Sequence, residues 1–483
     1  MNTNEPPADA TKPVDTDDLF IDDTDPQKAL AEASGGLDFK ALSERQQTYD
    51  KAKLADEQPV IQLSPEQERI CTAAQVGHNI LITGSAGTGK SVLLRELRRR
   101  LDTDGFGGRF VVTASTGIAA INVRGATLHS WAGLGLAEGS CEQLLERVRE
   151  RRKAVQRIRE VKRLAIDEIS MVSAELLEKL DYVMRHVREE RGRPFGGVQI
   201  IAYGDFLQLP PVSKGDEKAR FAFESEVWKG ANFNTGILTK VFRQSDAAFS
   251  RALNEFRVGN VTDEAAELFA TRYQAKDEDP TFQPIDIYMT NADVDSFNLE
   301  RLREIDAPEV CYEARDWGEE WDVKAMDKSC LAPKNLRLKV GAQVMLLTNL
   351  NIECGLANGT IGRVVALPDK VKGWKCGPTV EFRNGQQRVL ELAKWEMKVG
   401  DDVVAERWQI PLRLAWAITG HKSQGMTLDK CRVHLANVFE AGQAYVALSR
   451  ARTLDGLFIQ STRKGCINAD PRAVKFYQEA KTL

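Results

Sequence analysis

Asn79-Ile80-Leu81-Ile82-Thr83-Gly84-Ser85-Ala86-Gly87-Thr88-Gly89-Lys90-Ser91 is the stretch from which the architecture follows. A short apolar run with strand character enters a glycine-rich loop that ends in Lys-Ser, and Val92, Leu93, Leu94 and Leu97 then continue at helical spacing. Strand, loop and helix in that order separate a phosphate-binding loop from a chance match. The glycines let backbone N–H groups curl around phosphates at the helix N-terminus. Lys90 is expected to neutralise the β and γ oxygens of ATP, and the Ser91 hydroxyl to ligate Mg²⁺.

Outward from that loop, further runs read as strands: Phe110–Ala114, Arg163–Asp167 and Val198–Tyr203, alternating with helical segments. Each ends in a Gly-, Ser- or Asp-rich segment, where open parallel sheets place their ligands. A second set begins at Ile285–Thr290 and resumes at Leu412–Thr419, Arg432–Leu435 and Leu457–Gln460. The expected class is therefore α/β, with two parallel-sheet lobes. The first spans 61–236 and carries a small β-hairpin or loop wedge near 123–140. The second spans 237–304 and 409–483. Residues 305–408 interrupt it with alternating runs and turn dipeptides at Asn358-Gly359 and Asn384-Gly385, which points to a small β-barrel.

The 483 residues carry a net charge of −4, which looks wrong for a nucleic-acid protein until it is divided. Residues 1–60 hold 14 Asp/Glu against 6 Lys/Arg, leaving 60 basic and 56 acidic residues for the rest. The body is mildly basic, and the acidity belongs to a Pro- and Asp-rich arm with too few apolar positions to offset ordering entropy. That arm is expected to be disordered, with Leu19-Phe20-Ile21 between aspartates as a candidate docking segment for a protein partner. No run approaches the roughly 18 apolar residues of a membrane span. Eight cysteines without a C-x-x-C pair argue against zinc ribbons and disulfide scaffolds. A cytoplasmic protein of bacterial, viral or phage source is expected, with a nuclear location left open.

Leu164-Ala165-Ile166-Asp167-Glu168 ends a strand in two acids that point to opposite sides. Asp167 is expected to hold the Mg²⁺ through water and Glu168 to orient and deprotonate the attacking water. Gly204-Asp205-Phe206-Leu207-Gln208 follows another strand, with Gln208 as a candidate reporter of the γ-phosphate. Arg243 and Arg450 are candidates for stabilising charge on a transferring phosphoryl group, since the guanidinium fork suits that task. The stretch 147–163 carries nine basic residues at helical spacing, read first as a solvated face and second as a duplex-contacting surface.

From Ile61 to the end the motifs resemble the Pif1-like branch of superfamily 1 DNA helicases. Leu63-Ser64-Pro65-Glu66-Gln67 is similar to that family's Q motif, which makes Gln67 the adenine reader. Thr113 to Ala120 and Thr127-Leu128-His129-Ser130-Trp131 are similar to its first DNA-contacting segments, implying roles for Ser115, Thr116, His129, Ser130 and Trp131. Ala415 to Thr427 and Gly442 to Arg452 resemble its closing motifs. These imply DNA contacts at Thr419, His421, Lys422 and Ser423, with Gly425 and Gln443 beside ATP. Phe206 lies in a matched segment and joins the DNA candidates, with core packing an equal alternative for it and for Trp131. The resemblance further implies two RecA-like lobes, an SH3-like barrel as the insertion, and a monomer that moves 5′-to-3′ on single-stranded DNA and acts at single-strand/duplex junctions. A partner-recruited translocase or remodeller is the alternative.

Overall fold

The structure, a computed structural model, describes residues 63–483 apart from 103–108, 124, 213–217, 245, 278–281, 349, 351–355, 357, 369–376 and 400–401. The acidic arm expected at 1–60 lies outside the described residues. Helix α1 (Pro65–Val76) starts where Ser64 and Gln67 form a reciprocal capping box and Pro65 takes the first turn; it stops at Gly77, whose φ is +100°.

The first sheet has six parallel strands: β1 (Ile80–Gly84), β2 (Arg109–Ala114), β3 (Ala126–Thr127), β4 (Val161–Asp167), β5 (Gln199–Tyr203) and β6 (Asn234–Leu238). Their order is β3-β2-β4-β5-β1-β6. Along β1 the side chains alternate between two cores: Leu81 joins one, while Ile80 and Ile82 join the other. All three are fully buried, so helices cover both faces, as the continuous apolar pattern requires. Helix α2 (Lys90–Asp102) follows the phosphate-binding loop. The order also sets β4, β5 and β1 side by side, although other elements separate them in sequence.

A second parallel sheet runs Ala417–Thr419, Ile285–Tyr288, Cys431–His434, Leu457–Ser461. The stretch 412–419, expected to be one strand, is two. Leu412–Leu414 pairs antiparallel with Gln343–Leu346 in the insertion, and only Ala417–Thr419 joins the parallel sheet. At the break, the Asn298 side-chain oxygen accepts the N–H groups of Trp416 and Ala417 at 3.1 and 2.9 Å. Among the described residues the insertion is antiparallel and comes as sheets of five, three and two strands, the first including Leu412–Leu414. Among the described residues no helix is long and apolar enough to cross a membrane.

Two further expectations change. The wedge near 123–140 holds no hairpin among its described residues; it is β3, a five-residue helix (Leu128–Ala132) and a turn-rich link to the helix Cys141–Glu150. Several basic residues of 147–163 are structural. Arg157 is buried with its guanidinium on the Trp131 carbonyl, and Arg151 donates to the Gly133 carbonyl.

Residues 470–483, expected to end the second lobe, return to the first. The helix Pro471–Glu479 lays Ala473, Phe476 and Tyr477 against the first-sheet core. Beyond it, Thr235 donates to the Lys481 carbonyl and Leu483 to the Thr235 carbonyl, which covers the edge of β6. Phe476 meets Phe206 edge-on at 5.3 Å and stacks on Phe223 at 4.4 Å. Phe476→Ala is therefore expected to cost about 3 kcal/mol in urea unfolding, whereas a helix that merely rested on the surface would lose almost nothing.

Candidate functional site

The ends of β1, β4 and β5 open on one crevice. At the end of β1, Gly84 has φ +152°, and a Cβ there would meet the Leu238 carbonyl at 2.5 Å. Gly87 has φ +83°, and a Cβ there would sit 2.4 Å from that of Arg243, so the loop turns tightly against the second lobe. Thr88 is buried and bonds the Ser85 carbonyl. Lys90 Nζ donates to the carbonyls of Gly84 at 2.7 Å and Ser85 at 3.0 Å. Burial holds its ammonium below the usual pKa range, and Asp205 and Glu168 pull it part of the way back. The Ser91 side chain is exposed at the first turn of α2.

At the end of β4, burial first and Glu168 second push the Asp167 carboxyl up to about 8. Glu168 sits at φ +52°, its carboxyl also raised by burial, and its Oε2 accepts from Gln424 Nε2 at 2.8 Å. At the end of β5, Asp205 is fully buried. Burial pushes its carboxyl up, but the Arg257 guanidinium outweighs that and holds it below the usual range. Arg257, the last residue of the helix Ala247–Arg257, reaches both Asp205 oxygens at 2.8 and 2.7 Å. The Gln208 amide leans on the same carboxylate at 3.3 Å. Tyr477 ties this cluster back to β1, its hydroxyl 2.7 Å from Thr83 Oγ1.

The second lobe meets the loop through Tyr445, whose hydroxyl accepts from Ala86 N at 2.8 Å, and through Phe242, whose N–H donates to the Gly87 carbonyl at 2.8 Å. Among the described residues Arg243 makes one hydrogen bond, to the Ser449 carbonyl at 3.2 Å, and it is pushed down to about 9 by burial and by Arg450 beside it. Arg450 is fully buried and more firmly held, by the carbonyls of Val446, Ser423 and Met426 and the Ser449 hydroxyl. Gln443 is buried with Oε1 on Phe439 N, and its Nε2 has no partner among the described residues. Gly425 forms a left-handed turn at φ +79°. Gln67 is buried next to Gly89.

The DNA candidates divide by burial. Ser115, Thr116, His129, Ser130, His421 and Lys422 are part-exposed. Burial holds both histidines and Lys422 below their usual pKa. Four of the candidates are buried. Trp131 is 3% exposed inside the first core, and Phe206 is 1% exposed among Phe221, Phe223, Trp228 and Phe476, so neither ring has a free face for a base. Thr419 and Ser423 are buried and spend their hydroxyls on the turn itself, at Lys422 N and the Gly420 carbonyl.

Sequence reasoning missed Arg257, Tyr445, Tyr477 and Gln424 as site residues. Tyr445 and Gln424 stood inside quoted motifs. Arg257 had no local signal, because its partner lies 52 residues away.

Among the described residues no cluster of three or more His, Cys, Asp or Glu side chains would hold a metal by itself. Asp167 with the Ser91 hydroxyl fits instead a Mg²⁺ that brings phosphate oxygens and water as its other ligands.

A family model described as PIF1-like helicase matches residues 62–267, and one described as the 2B domain of DNA helicase Pif1 matches 323–367. The human ATP-dependent DNA helicase PIF1 is 41% identical over 416 residues, which is 86% of this chain and 63% of that protein. The chain thus spans less than two thirds of that relative's length. The crystal structure of Pif1 helicase from Candida albicans superposes with a TM-score of 0.74 at 39% identity, covering 87% of this chain and 99% of that one. Pif1 helicase from Bacteroides in complex with ADP-AlF3 and single-stranded DNA gives 0.60 at 32%, covering 87% and 99%. The curated relatives include human, fish and fungal proteins, all eukaryotic. This overturns the expected bacterial, viral or phage source and the cytoplasmic location that went with it.

Two measurements check the electrostatics. Arg257→Met leaves Asp205 buried and unpaired, so it is expected to cost about 3 kcal/mol in urea unfolding, with Asp205→Asn in the same chain recovering part of the loss. Asp167 gives up its proton near 3.8 when unfolded and near 8 when folded. Its contribution to stability is therefore complete below about pH 4 and is lost as pH rises toward 8. Asp167→Asn is expected to gain stability over the parent at about pH 8 and much less at about pH 5.

Proposed function

The chain belongs to the PIF1-like helicase family, and on that premise we propose that it is an ATP-dependent DNA helicase that moves 5′-to-3′ on single-stranded DNA and unwinds duplex or structured DNA in genome maintenance. The observation that carries this reading is the convergence of Lys90, Asp167, Glu168 and Asp205 from three adjacent strand ends. Across the same crevice, Tyr445 and Phe242 reach the loop from the second lobe. A phosphate crevice built from two lobes turns the loss of a phosphoryl group into a change in how the lobes meet.

In this proposal ATP takes the loop from Gly84 to Ser91. Lys90 exchanges the Gly84 and Ser85 carbonyls for phosphate oxygens. Asp167 and Ser91 hold Mg²⁺, which when bound neutralises charge on the β- and γ-phosphates. Glu168, oriented by Gln424, positions the attacking water and takes its proton. Arg243, with one hydrogen bond to surrender, is the arginine best placed to meet the γ-phosphate. Arg450 has four to give up and serves first to wall the crevice. Gln208, leaning on Asp205, and Gln443 line the same space. DNA phosphates and bases meet Ser115, Thr116, His129, Ser130, His421 and Lys422, a surface that reads no sequence. In this reading the two lobes divide near residue 237, with 470–483 counted with the first lobe and Leu412–Leu414 with the insertion.

The test is strand separation on matched duplexes with a 5′ or a 3′ single-stranded tail, with ATP and Mg²⁺. Unwinding of the 5′-tailed duplex alone is expected, and Lys90→Ala is expected to abolish it together with hydrolysis. Unwinding of the 3′-tailed duplex overturns the polarity, and normal turnover in Lys90→Ala overturns the loop assignment. ATP hydrolysis stimulated by DNA without unwinding would instead favour a translocase that works with a partner.

A further inference from the structure

Tyr477 stands on the helix Pro471–Glu479, 271 positions or more from every residue that its hydroxyl bonds. The Phe206 N–H donates to that hydroxyl at 3.0 Å, Thr83 Oγ1 lies 2.7 Å away and Asp205 Oδ1 3.3 Å. A phenol has one proton to give and two lone pairs to receive with. Among the described residues the Thr83 hydroxyl has no bond besides this one, and Asp205 is held ionised by Arg257. The valences then close in one way: Phe206 N and Thr83 donate to Tyr477, and Tyr477 donates to Asp205. Burial and the Asp205 charge both push the phenol above its usual range, so the proton stays on the oxygen that gives it.

Asp205 is where this chain of hydrogen bonds meets the second lobe. Arg257 reaches both of its oxygens, and the same guanidinium lies 5.3 Å from the centroid of the Tyr477 ring. Tyr477 therefore holds Arg257 twice, by the face of its ring and, through Asp205, by its hydroxyl. Arg257 closes the helix Ala247–Arg257, whose Phe249, Ala252, Leu253 and Phe256 pack into the core of the second sheet. Thr83 and Asp205 belong to strand ends of the first sheet, so the ion pair is a fixed point between the lobes. Arg243 stands just ahead of that helix, whose N-cap is Asp246. Wherever Arg257 is held, the helix is placed, and with it the arginine that faces the phosphate-binding loop.

We infer that Tyr477 is a positioning residue of the ATP site: its hydroxyl holds Asp205 in line for Arg257, and so sets how the segment bearing Arg243 approaches the phosphates. The inference rests on the proposed ATP site and adds to it a residue that acts through Asp205. Packing against the first core needs only the ring, which Phe476 beside it also supplies. The hydroxyl is what the positioning role requires. An arginine that meets charge developing on the phosphoryl group matters more in the transition state than in the bound ground state, so misplacing it slows turnover more than it weakens binding.

The experiment is steady-state hydrolysis of ATP by the whole chain, with Mg²⁺ and saturating single-stranded oligothymidylate, for the parent, Tyr477→Phe, Thr83→Val, the two combined, and Phe476→Ala, each at a temperature where urea titration shows it fully folded. Tyr477→Phe keeps the ring and is expected to lower kcat about tenfold, with KM for ATP within about twofold of the parent. Thr83→Val removes the donor at the head of the same chain, so the double variant is expected to lose no more than Tyr477→Phe alone. Phe476→Ala loosens the same helix without touching the hydroxyl and is expected to keep the parent's kcat. Unchanged kcat in Tyr477→Phe overturns the inference, and so does a rise in KM alone. Losses that add in the double variant overturn it too, as does an equal fall in kcat for Phe476→Ala, which would assign the effect to helix packing. A parent chain that hydrolyses no ATP overturns the ATP site as well.

Discussion

Burying several charges in one crevice constrains everything around it. Removing an ion from water costs several kcal/mol unless a counter-charge and hydrogen bonds replace the lost hydration. Asp205 meets that demand with Arg257, which reaches both of its oxygens. Lys90 meets it with loop carbonyls, and Asp167 by keeping its proton to about 8. Arg243 is held down by burial and by Arg450 beside it, and Arg450 by burial, which Tyr445 and Glu168 offset only in part. The balance is positive, and a polyphosphate is the ligand that would level it.

That crevice depends on the order of the sheet. β5 lies between β4 and β1, so an acid pair, a buried aspartate and the phosphate-binding loop emerge side by side. The strands themselves were legible, because apolar runs ending in Gly, Ser or Asp signal both their existence and their ends. Their order was not, since parallel pairing joins residues more than a hundred positions apart without leaving a local trace.

The same division runs through the candidate site. Lys90, Asp167 and Glu168 could be named from sequence because loop geometry and strand ends demand those residue types at those places. Arg257 could not, being an unremarked arginine at a helix end until folding sets it against Asp205. For Trp131 and Phe206 the sequence left two readings open. Lying beside a motif says nothing about which side of the backbone a ring takes, and both rings turn into the core. The strand read across 412–419 looked continuous because Leu414 to Ile418 is one unbroken apolar run, while at the break the N–H groups of Trp416 and Ala417 go to Asn298 from elsewhere in the chain.

The return of residues 470–483 to the first sheet has a mechanical meaning. Were the second lobe the end of the chain, one covalent link would join it to the first, and it would be free to swing in any direction. Here the polypeptide leaves the first sheet after β6 and comes back to lie along that same strand, with Leu483 bonded to Thr235. A body held by two straps at separated points keeps one easy motion, rotation about the line through both. The C-terminal segment thereby selects an axis, much as a second pin turns a pivot into a door hinge.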